Sequence, residues 1–367
     1  MSKAALFLII PVAILFSFGL LMIFNTTAAQ IIDRSLNTDT HAILLKQLLY
    51  GILGLIAGTA LFRSGYESLL RFSTFGLILG TVLLILVFVP GIGQTVNGAR
   101  RWIGVLGFSF QPSECIKVLL PAVYIRWACQ QKEISFLRFF CFILTLGVPA
   151  ALILIEPDNG TTAIIAAMLL VLFWLTRIKW RYWALPLLIL VGGGGAAAYH
   201  MPHVHDRFQI YLHPELDLKG KGHQPHQAKI AAGTGGLFGR GIGESLQKLN
   251  YLPEARNDYI AAIYAEETGF VGILVIIALY MTFSFAGFFV AIRARDREGF
   301  LLAAILTFLI SIQAFLNLGV VSGLLPSKGM TLPFFSQGGT SLIVNLAALF
   351  ILLDIARKPK PELSYGS

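Results

Sequence analysis

The sequence predicts an all-α integral membrane protein with about ten transmembrane helices and a large extracytoplasmic loop between helices 7 and 8. Two observations carry this prediction. Of the 367 residues, 56% are hydrophobic and only 13% are charged, which is unusual for soluble domains of this length. The hydrophobic residues also fall in runs close to the ~20 residues that a helix needs to cross a bilayer. We therefore expect one polytopic membrane domain over residues 1–367, with no soluble domain.

The apolar runs give the order of the predicted helices. They fall at about 4–25, 43–62, 71–90, 114–130, 137–155, 161–177, 183–200, 268–291, 299–321 and 340–356. An even number of spans places both termini on the same side of the membrane. The first run is long and is followed by further spans, so we expect a retained helix rather than a cleaved signal peptide.

The basic residues orient these helices. With both termini in the cytoplasm, the inner segments hold most of the lysines and arginines that lie outside the long loop, as the positive-inside rule requires. They are Lys3, Arg63, Arg71, Arg126, Lys132, Arg138, Arg177, Lys179, Arg181, Arg293, Arg295, Arg297, Arg357, Lys358 and Lys360. The formal net charge of +9 is thus explained by topology, and no nucleic-acid partner is expected.

Four segments break the pattern of short polar connectors, and all four are predicted to face outward. They are residues 91–113, 156–160, 201–267 and 322–339, of which 201–267 is the large extracytoplasmic loop. Since they share one side of the membrane, we expect a single extracytoplasmic site built from several loops.

Asp258 is the strongest candidate for a functional residue in these segments. It follows a glycine-rich run and directly precedes a hydrophobic segment, so its carboxylate lies where water meets the bilayer. A carboxylate at that border is costly to hold without partners, which makes it a functional candidate. The alternative is an aspartate that only caps the following helix.

The first outer segment combines arginines with an acid–base pair. Arg100 and Arg101 break the inside bias of the basic residues, and guanidinium groups suit phosphate oxygens. Binding of lipid headgroups is the alternative.

Lys117 follows Glu114 by three residues, so the two share a helix face and can form an ion pair. The lysine would equally serve as a compact charge for a pyrophosphate.

Two carboxylates occur at the second outer turn. Glu156 and Asp158 flank Pro157, and such a pair suits a divalent cation beside phosphates. A tight turn in which Asp158 or Thr161 caps the next helix explains the same residues without a ligand.

Three other patterns carry less chemistry. Most of the seven histidines lie between 200 and 226, but their spacing does not match a helical zinc site, so we expect an ordinary solvated loop. The run Gly233–Gly243 lacks the Gly-Lys-Ser/Thr ending of a nucleotide-binding loop. Its glycines favour close approach of a chain or a headgroup. The cysteines, Cys115, Cys129 and Cys141, are interpreted as free thiols.

The last outer segment predicts one wall of a site. Gln313 and Asn317 precede a non-helical run, 322–341, that is rich in glycine and proline. Irregular backbone at membrane depth is tolerated only where it lines a cavity or packs on protein.

Together these segments resemble the SEDS family (shape, elongation, division and sporulation), bacterial membrane enzymes that polymerise peptidoglycan from lipid II. The resemblance covers nearly the whole chain. It is carried by NGARRWI, FQPSE with Lys117, EPDNGTT, GTGGLFGRGIG, QKLNYLPEARNDYI with AEETGFVG, and GLLPSKGMTLPFFSQGGTS. The YLPEA and LLPSKG forms are more similar to the division branch of the family than to the elongation branch.

The resemblance implies roles for particular residues. The family's catalytic aspartate falls on Asp258, the expected general base. Substrate-binding positions fall on Arg101, Gln111, Ser113, Glu114, Lys117, Arg207, Gln227 and Glu254. A divalent cation, Mg²⁺ or Mn²⁺, is also implied, with Asp158 or Glu114 as a contributor.

The resemblance further implies a peptidoglycan glycosyltransferase in the bacterial cytoplasmic membrane, with its active site on the extracytoplasmic face. It would join glycan chains through β-1,4 links with inversion. Its expected partners are lipid II, glycan linked to undecaprenyl pyrophosphate, membrane lipids, a class B penicillin-binding protein and other division or elongation proteins. The alternatives are a lipid II flippase, because Lys46, Lys117 and broken helices also suit a translocation path, and a non-catalytic division scaffold.

Overall fold

The computed structural model describes residues 3–34, 40–96, 99–105, 107–184, 187–188, 222–248, 256–326 and 329–358. Helices dominate these residues. They are α1 (Lys3–Arg34), α2 (Thr40–Ser64), α3 (Tyr66–Val87), α4 (Pro112–Gln130), α5 (Phe136–Ile155), α6 (Asn159–Leu175), α7 (His223–Thr234), α8 (Ile260–Ile292), α9 (Arg297–Val321) and α10 (Gly339–Arg357).

The predicted architecture, an all-α membrane protein with about ten spans, is confirmed. Within the described residues, seven helices are long and apolar enough to cross a membrane. Two more predicted spans correspond to α4, which carries Glu114, Lys117 and Arg126, and to α6, which has only 17 residues. The predicted seventh span, 183–200, lies almost entirely outside the described residues.

A small antiparallel sheet in the first outer segment was not predicted. It consists of β1 (Gly93–Val96), β2 (Ala99–Val105) and β3 (Phe108–Phe110), with β2 in the middle. Tyr50 of α2 anchors the third strand, because its hydroxyl accepts a hydrogen bond from the Ser109 amide at 3.0 Å. The sheet thereby places Arg101 of β2 above the start of α4.

The core of the bundle is formed by α9 and α10, which are the most deeply buried of the candidate spans. Helix α10 packs closely along α2, where Gly54 and Gly58 present no side chain to it. A Cβ at Gly54 would lie 2.7 Å from a methyl of Leu346, and one at Gly58 would overlap the ring of Phe350. Small residues four apart thus allow the close helix contact that is common in membranes.

Helix α8 begins at Ile260, eight residues before the predicted apolar run at 268–291, and that run corresponds to the second part of the helix. The helix has 33 residues and is interrupted at Gly269, whose φ of 69° and ψ of −166° are accessible essentially only to glycine. The glycine-rich loop 235–248 packs against this interruption. Its backbone bonds are Arg240 N to Glu266 O, Gly241 N to Glu267 O, Phe270 N to Gly236 O and Val271 N to Leu237 O.

The opposite end of the bundle is held together by ion pairs. Asp354, fully buried near the end of α10, accepts a bond from the Tyr66 amide of α3 at 2.9 Å and pairs with Arg357 and Lys358. Near the end of α6, the exposed Trp174 lies close in sequence to several basic residues. Exposed tryptophan beside basic residues is typical of a membrane–water interface.

Candidate active site

Asp258 lies in the turn 256–259, directly before α8, and is half-buried. The N-cap residue of α8 is Tyr259, so the alternative in which Asp258 caps this helix is wrong. A Cβ at Gly329 would lie 3.1 Å from Asp258 Oδ2, so the glycine lets the backbone of the 329–338 segment approach the carboxylate. The carboxylate is therefore framed by two loops rather than used to start a helix.

Asn317 of α9 holds those two loops together. Its Nδ2 donates to the carbonyl of Asp258 at 2.8 Å and to the carbonyl of Met330 at 2.7 Å. The side chain is only 2% exposed, as is expected for a residue with a bracing role. The sequence marked Asn317 as part of a wall, but not as a clamp on Asp258. The signal was present, since Gln313 and Asn317 are polar residues four apart in the otherwise apolar stretch 312–321.

Gln111 and Ser113 form a second part of the site at the start of α4. The Nε2 of Gln111 donates to Ser113 Oγ at 3.0 Å and to Asp158 Oδ2 at 3.1 Å. The Gln111 amide donates to Thr340 Oγ1, also at 3.0 Å. These bonds join the first turns of α4, α6 and α10, so three helix ends meet at one place. The sequence placed Thr340 in the predicted wall 322–341 but did not predict its contact with Gln111.

Glu114 and Lys117 form the predicted ion pair one turn further into α4. Lys117 Nζ lies 2.8 Å from each carboxylate oxygen, and both residues are buried. Burial of such a pair stabilises the fold little, because desolvation offsets the attraction. The pair lies within two turns of Gln111 and Ser113 at the start of α4, with Lys117 only 2% exposed.

Asp158 lies at the centre of the second outer turn. It is the N-cap of α6 and accepts a bond from the Thr161 amide at 3.2 Å, so the interpretation as a capped turn is confirmed. Arg101 Nη1 lies 3.9 Å from its carboxylate, and Arg101 also donates to the carbonyls of Glu156 and Pro157. The arginine thus clamps the turn, and about a quarter of its side chain stays exposed.

Glu156 differs from its neighbour in having no partner. Its side chain is 1% exposed, and neither carboxyl oxygen makes a hydrogen bond within the described part of the chain. Burial raises the pKa of Glu156 from 4.5 to about 8, with a smaller upward effect from Asp158 and an opposing one from Arg101. This carboxyl group keeps spare bonding capacity in the site.

Glu156 and Asp158 offer two carboxylates to a divalent cation that a ligand would also bind. Among the described residues, no group of three or more His, Cys, Asp or Glu side chains could hold a metal ion. Magnesium, however, is often bound by one or two carboxylates together with substrate phosphates. The unpartnered oxygens of Glu156, beside Asp158, suit that arrangement.

Met330 joins the two halves of the site. Its backbone carbonyl is bound by Asn317, and its side chain would lie 3.1 Å from a Cβ at Gly160. The same Cβ would lie 3.8 Å from Asp158 Oδ1. The Asp158 turn and the Asp258 turn therefore lie on either side of Met330. All four predicted outer segments contribute residues to the site.

The remaining predicted residues are placed as follows. Gln227 is half-buried on α7, which packs against α8 and the end of α9. Arg207 and Glu254 lie outside the described residues. The three cysteines are free thiols, as predicted.

The fold and this cluster define a class of protein, a polytopic helical membrane protein with a polar site built from loops at one end of its bundle. The chain belongs to the FtsW/RodA/SpoVE family of cell cycle proteins, whose family model matches residues 5–360.

The chain is similar to curated members of this family over nearly its whole length. It is 35% identical to a probable peptidoglycan glycosyltransferase FtsW of Trichlorobacter lovleyi, covering 97% of this chain and 94% of the relative. It is 36% identical to the stage V sporulation protein E of Bacillus subtilis, covering 96% of each chain.

Solved structures share the fold. A chain of a peptidoglycan synthase complex, in a study of how polymerisation and crosslinking are coordinated, superposes with a TM-score of 0.77 at 24% identity, over 95% of this chain and 96% of the other. The crystal structure of the rod shape determining protein RodA of Thermus thermophilus gives 0.69 at 24% identity, over 95% of each chain.

Proposed function

We propose that this chain is a peptidoglycan glycosyltransferase that polymerises lipid II into β-1,4 glycan strands during cell division. Family membership and the names of the curated relatives support the activity. The observation that carries the mechanism is the placement of Asp258, a carboxylate that does not cap its helix and is framed by two loops clamped through Asn317.

Asp258 is the proposed general base. The 4-hydroxyl oxygen of the incoming lipid II attacks C1 of the sugar at the end of the growing chain. The bond from C1 to the pyrophosphate oxygen breaks, and the configuration at C1 inverts. A sugar hydroxyl is a poor nucleophile, so its proton passes to the carboxylate as the new bond forms, an effect typically worth ~10²–10⁴-fold in rate.

The leaving group is undecaprenyl pyrophosphate, and its growing negative charge needs cationic partners in a partly dry cleft. Arg101 and Lys117 supply two of them, and we assign a third role of this kind to Arg207. A Mg²⁺ or Mn²⁺ ion would neutralise pyrophosphate oxygens when bound, with Asp158 and Glu156 as the residues that would hold it. Gln111 and Ser113 orient Asp158 for this task.

The proposal places both termini in the cytoplasm and the site on the outer face of the cytoplasmic membrane, as the distribution of basic residues favours. It also includes a class B penicillin-binding protein as partner, because a chain of the same fold is part of a peptidoglycan synthase complex.

The test is polymerisation of purified lipid II by the chain bound to its partner. Asp258→Asn should make no detectable glycan, while it folds, binds the partner and binds lipid II like the wild type. Glu133→Gln, which removes an exposed carboxylate from the loop between α4 and α5, serves as the matched control and should polymerise at the normal rate.

Three outcomes would contradict the proposal in different ways. Glycan formation at the normal rate by Asp258→Asn would mean that the base is another residue. A wild-type protein that moves lipid II across liposomes but never polymerises it would be a transporter. A protein that does neither, yet recruits and activates its transpeptidase partner, would be a scaffold.

A further inference from the structure

A groove lies between α3, α4 and α5, on the lipid-facing side of the bundle and away from the loops of the candidate site. It exists because α3 packs tightly on α4 and only loosely on α5. Gly76 and Gly80 of α3 admit Leu119 and Ile116 of α4, since a Cβ at either glycine would lie within 2.9 Å of those side chains. Helix α5 diverges from this close pair and leaves a wedge-shaped space.

The groove has the size of a ligand site and the length of one membrane leaflet. Its volume is about 720 Å³, within the ~300–1,000 Å³ of small-molecule sites. From Thr74 to Val82 it follows α3 for about 12 Å, at 1.5 Å per residue. Half of a ~30 Å hydrocarbon core is ~15 Å, so the groove spans roughly one leaflet.

Most of the lining is apolar, and its one charged group and its one amide side chain lie at the same end. Leu77, Val123, Leu146 and Val148 are among the apolar residues. At the end near the α4 C-terminus, Trp127 stacks on Phe142 with ring centroids 4.2 Å apart, and Arg126 and Gln130 complete the lining.

Arg126 gives this end a positive charge. Its Nη1 donates to the carbonyls of Leu70 and Arg71, which fixes the guanidinium at the mouth of the groove. A guanidinium has five N–H donors, more than these bonds use, and its fork suits phosphate oxygens. The exposed Lys132 and Arg138 of the following loop and helix add positive charge, and Glu133 and Glu298 offset part of it.

We propose that this groove binds one acyl chain of an anionic phospholipid, whose phosphate is held by Arg126. The lipid comes from the leaflet on the basic side of the protein, which the positive-inside rule identifies as the cytoplasmic leaflet. A transmembrane helix of a partner is a poorer fit. A cylinder ~10 Å wide and ~30 Å long occupies roughly 2,400 Å³, and this groove covers one leaflet only.

Trp127 provides the measurement, because brominated acyl chains quench tryptophan fluorescence on contact. The protein is reconstituted in phosphatidylcholine bilayers that contain a fixed fraction of brominated phosphatidylglycerol or of brominated phosphatidylcholine. The contribution of Trp127 is the difference between the wild type and Trp127→Phe. We expect the anionic lipid to be preferred at Trp127 by about fivefold, the effect of one arginine near a membrane surface.

Four variants sharpen the experiment. Arg126→Gln should remove the preference for the anionic lipid, whereas Arg126→Lys, which keeps the charge, should retain most of it. Arg293→Gln, at the far end of α8, is the matched control and should leave the preference unchanged. Thr145→Phe, which fills the groove without touching Arg126, should reduce the quenching of Trp127 by both lipids.

Equal quenching by the two lipids would overturn the proposal, because the groove would then hold only unselective bulk lipid. Absence of quenching by either lipid would also overturn it, since the groove would then be closed or occupied by protein. A preference that survives Arg126→Gln would remove Arg126 from the site. None of these outcomes depends on glycosyltransferase activity.

Discussion

Two pairs of buried carboxylates in the described residues differ in how many hydrogen-bond donors surround them. Glu266 and Glu267, near the kink of α8, are each 1% exposed, and Glu156 and Asp158, at the turn between α5 and α6, are 1% and 3% exposed. The first pair is surrounded by donors. They are Ser245, Leu246, Gln247, Arg240 and Thr234 for Glu266, and Lys248, Asn25 and the Ser245 amide for Glu267.

The second pair is only half satisfied. Asp158 accepts bonds from Gln111 and Thr161 and faces Arg101, whereas the carboxyl oxygens of Glu156 have no partner among the described residues. A buried carboxylate with a full set of donors is typical of a structural brace. A buried carboxylate that lacks donors and lies beside cationic groups is typical of a ligand-binding site. The comparison teaches that burial alone does not separate the two roles, but the count of donors does.

The largest loss of stability is expected at Glu266 and Glu267, the pair with a full set of donors. Glu267→Ala leaves the buried ammonium of Lys248 without its counter-charge and the amide of Asn25 without its acceptor, which should cost about 3–5 kcal/mol of stability. Thermal unfolding in detergent, followed by tryptophan fluorescence, measures the loss. Glu244→Ala removes an exposed carboxylate from the same loop and should change stability by less than ~0.5 kcal/mol. Equal losses in the two variants would refute the role of a brace.

The next-largest loss of stability is expected at Gly269, where α8 is kinked beside that pair. Gly269→Ala forces a side chain into a backbone conformation that costs roughly 1–3 kcal/mol, and its Cβ would overlap the backbone of Gly239 and Leu237. The same assay should show lower thermal stability. Gly233→Ala is the control, because this glycine lies inside α7 with open space around it and should gain about 0.5–1 kcal/mol. A neutral Gly269→Ala would mean that the kink is not needed.

At the half-satisfied pair, activity should suffer more than stability. Asp158→Asn keeps a capping oxygen for the Thr161 amide but loses the charge, so stability should fall by less than ~1 kcal/mol. Glycan formation should drop by about 10–100-fold, with a higher Mg²⁺ concentration needed for half-maximal rate. Asp296→Asn makes the same change at the N-cap of α9, near the other end of the bundle, and should not affect activity. Unchanged activity and metal dependence in Asp158→Asn would exclude a cation at this turn.

The smallest effect on stability is expected at the unpartnered acid. Glu156→Gln preserves the shape of a side chain that has no described hydrogen bonds, so stability should change by less than ~0.5 kcal/mol. Glu267→Gln, the same replacement at the saturated pair, should cost several-fold more. Similar losses in the two glutamine variants, measured by thermal unfolding, would mean that Glu156 has structural partners after all.

The sequence predicts the helices well because each apolar run must bury its backbone bonds internally, so hydropathy alone defines nine of the ten spans. It also predicts the pairing of Glu114 with Lys117 and the cap at Asp158, since both depend on residues three apart. The first part of α8, residues 260–268, was not predicted because it includes Glu266 and Glu267, whose cost of burial is offset by distant donors such as Asn25.

The assembly of the site depends on contacts that no local pattern encodes. Asn317 meets the carbonyl of Asp258 across 59 positions, and Gln111 meets Thr340 across 229. The small sheet escaped prediction for a similar reason, because its strands are short and are held by Tyr50 of another helix. Composition marked these residues as unusual, but only the fold shows which of them touch.

The length of α6 determines how deep in the membrane the polar cluster around Asp158 lies. Seventeen residues span about 26 Å, a few Å less than the ~30 Å thickness of the hydrocarbon core. With Trp174 at one membrane surface, Asp158 at the other end of the helix is drawn slightly below the opposite surface. In the proposed function, a lipid-linked diphosphate would meet Asp158 at this depth while its tail remains in the surrounding bilayer.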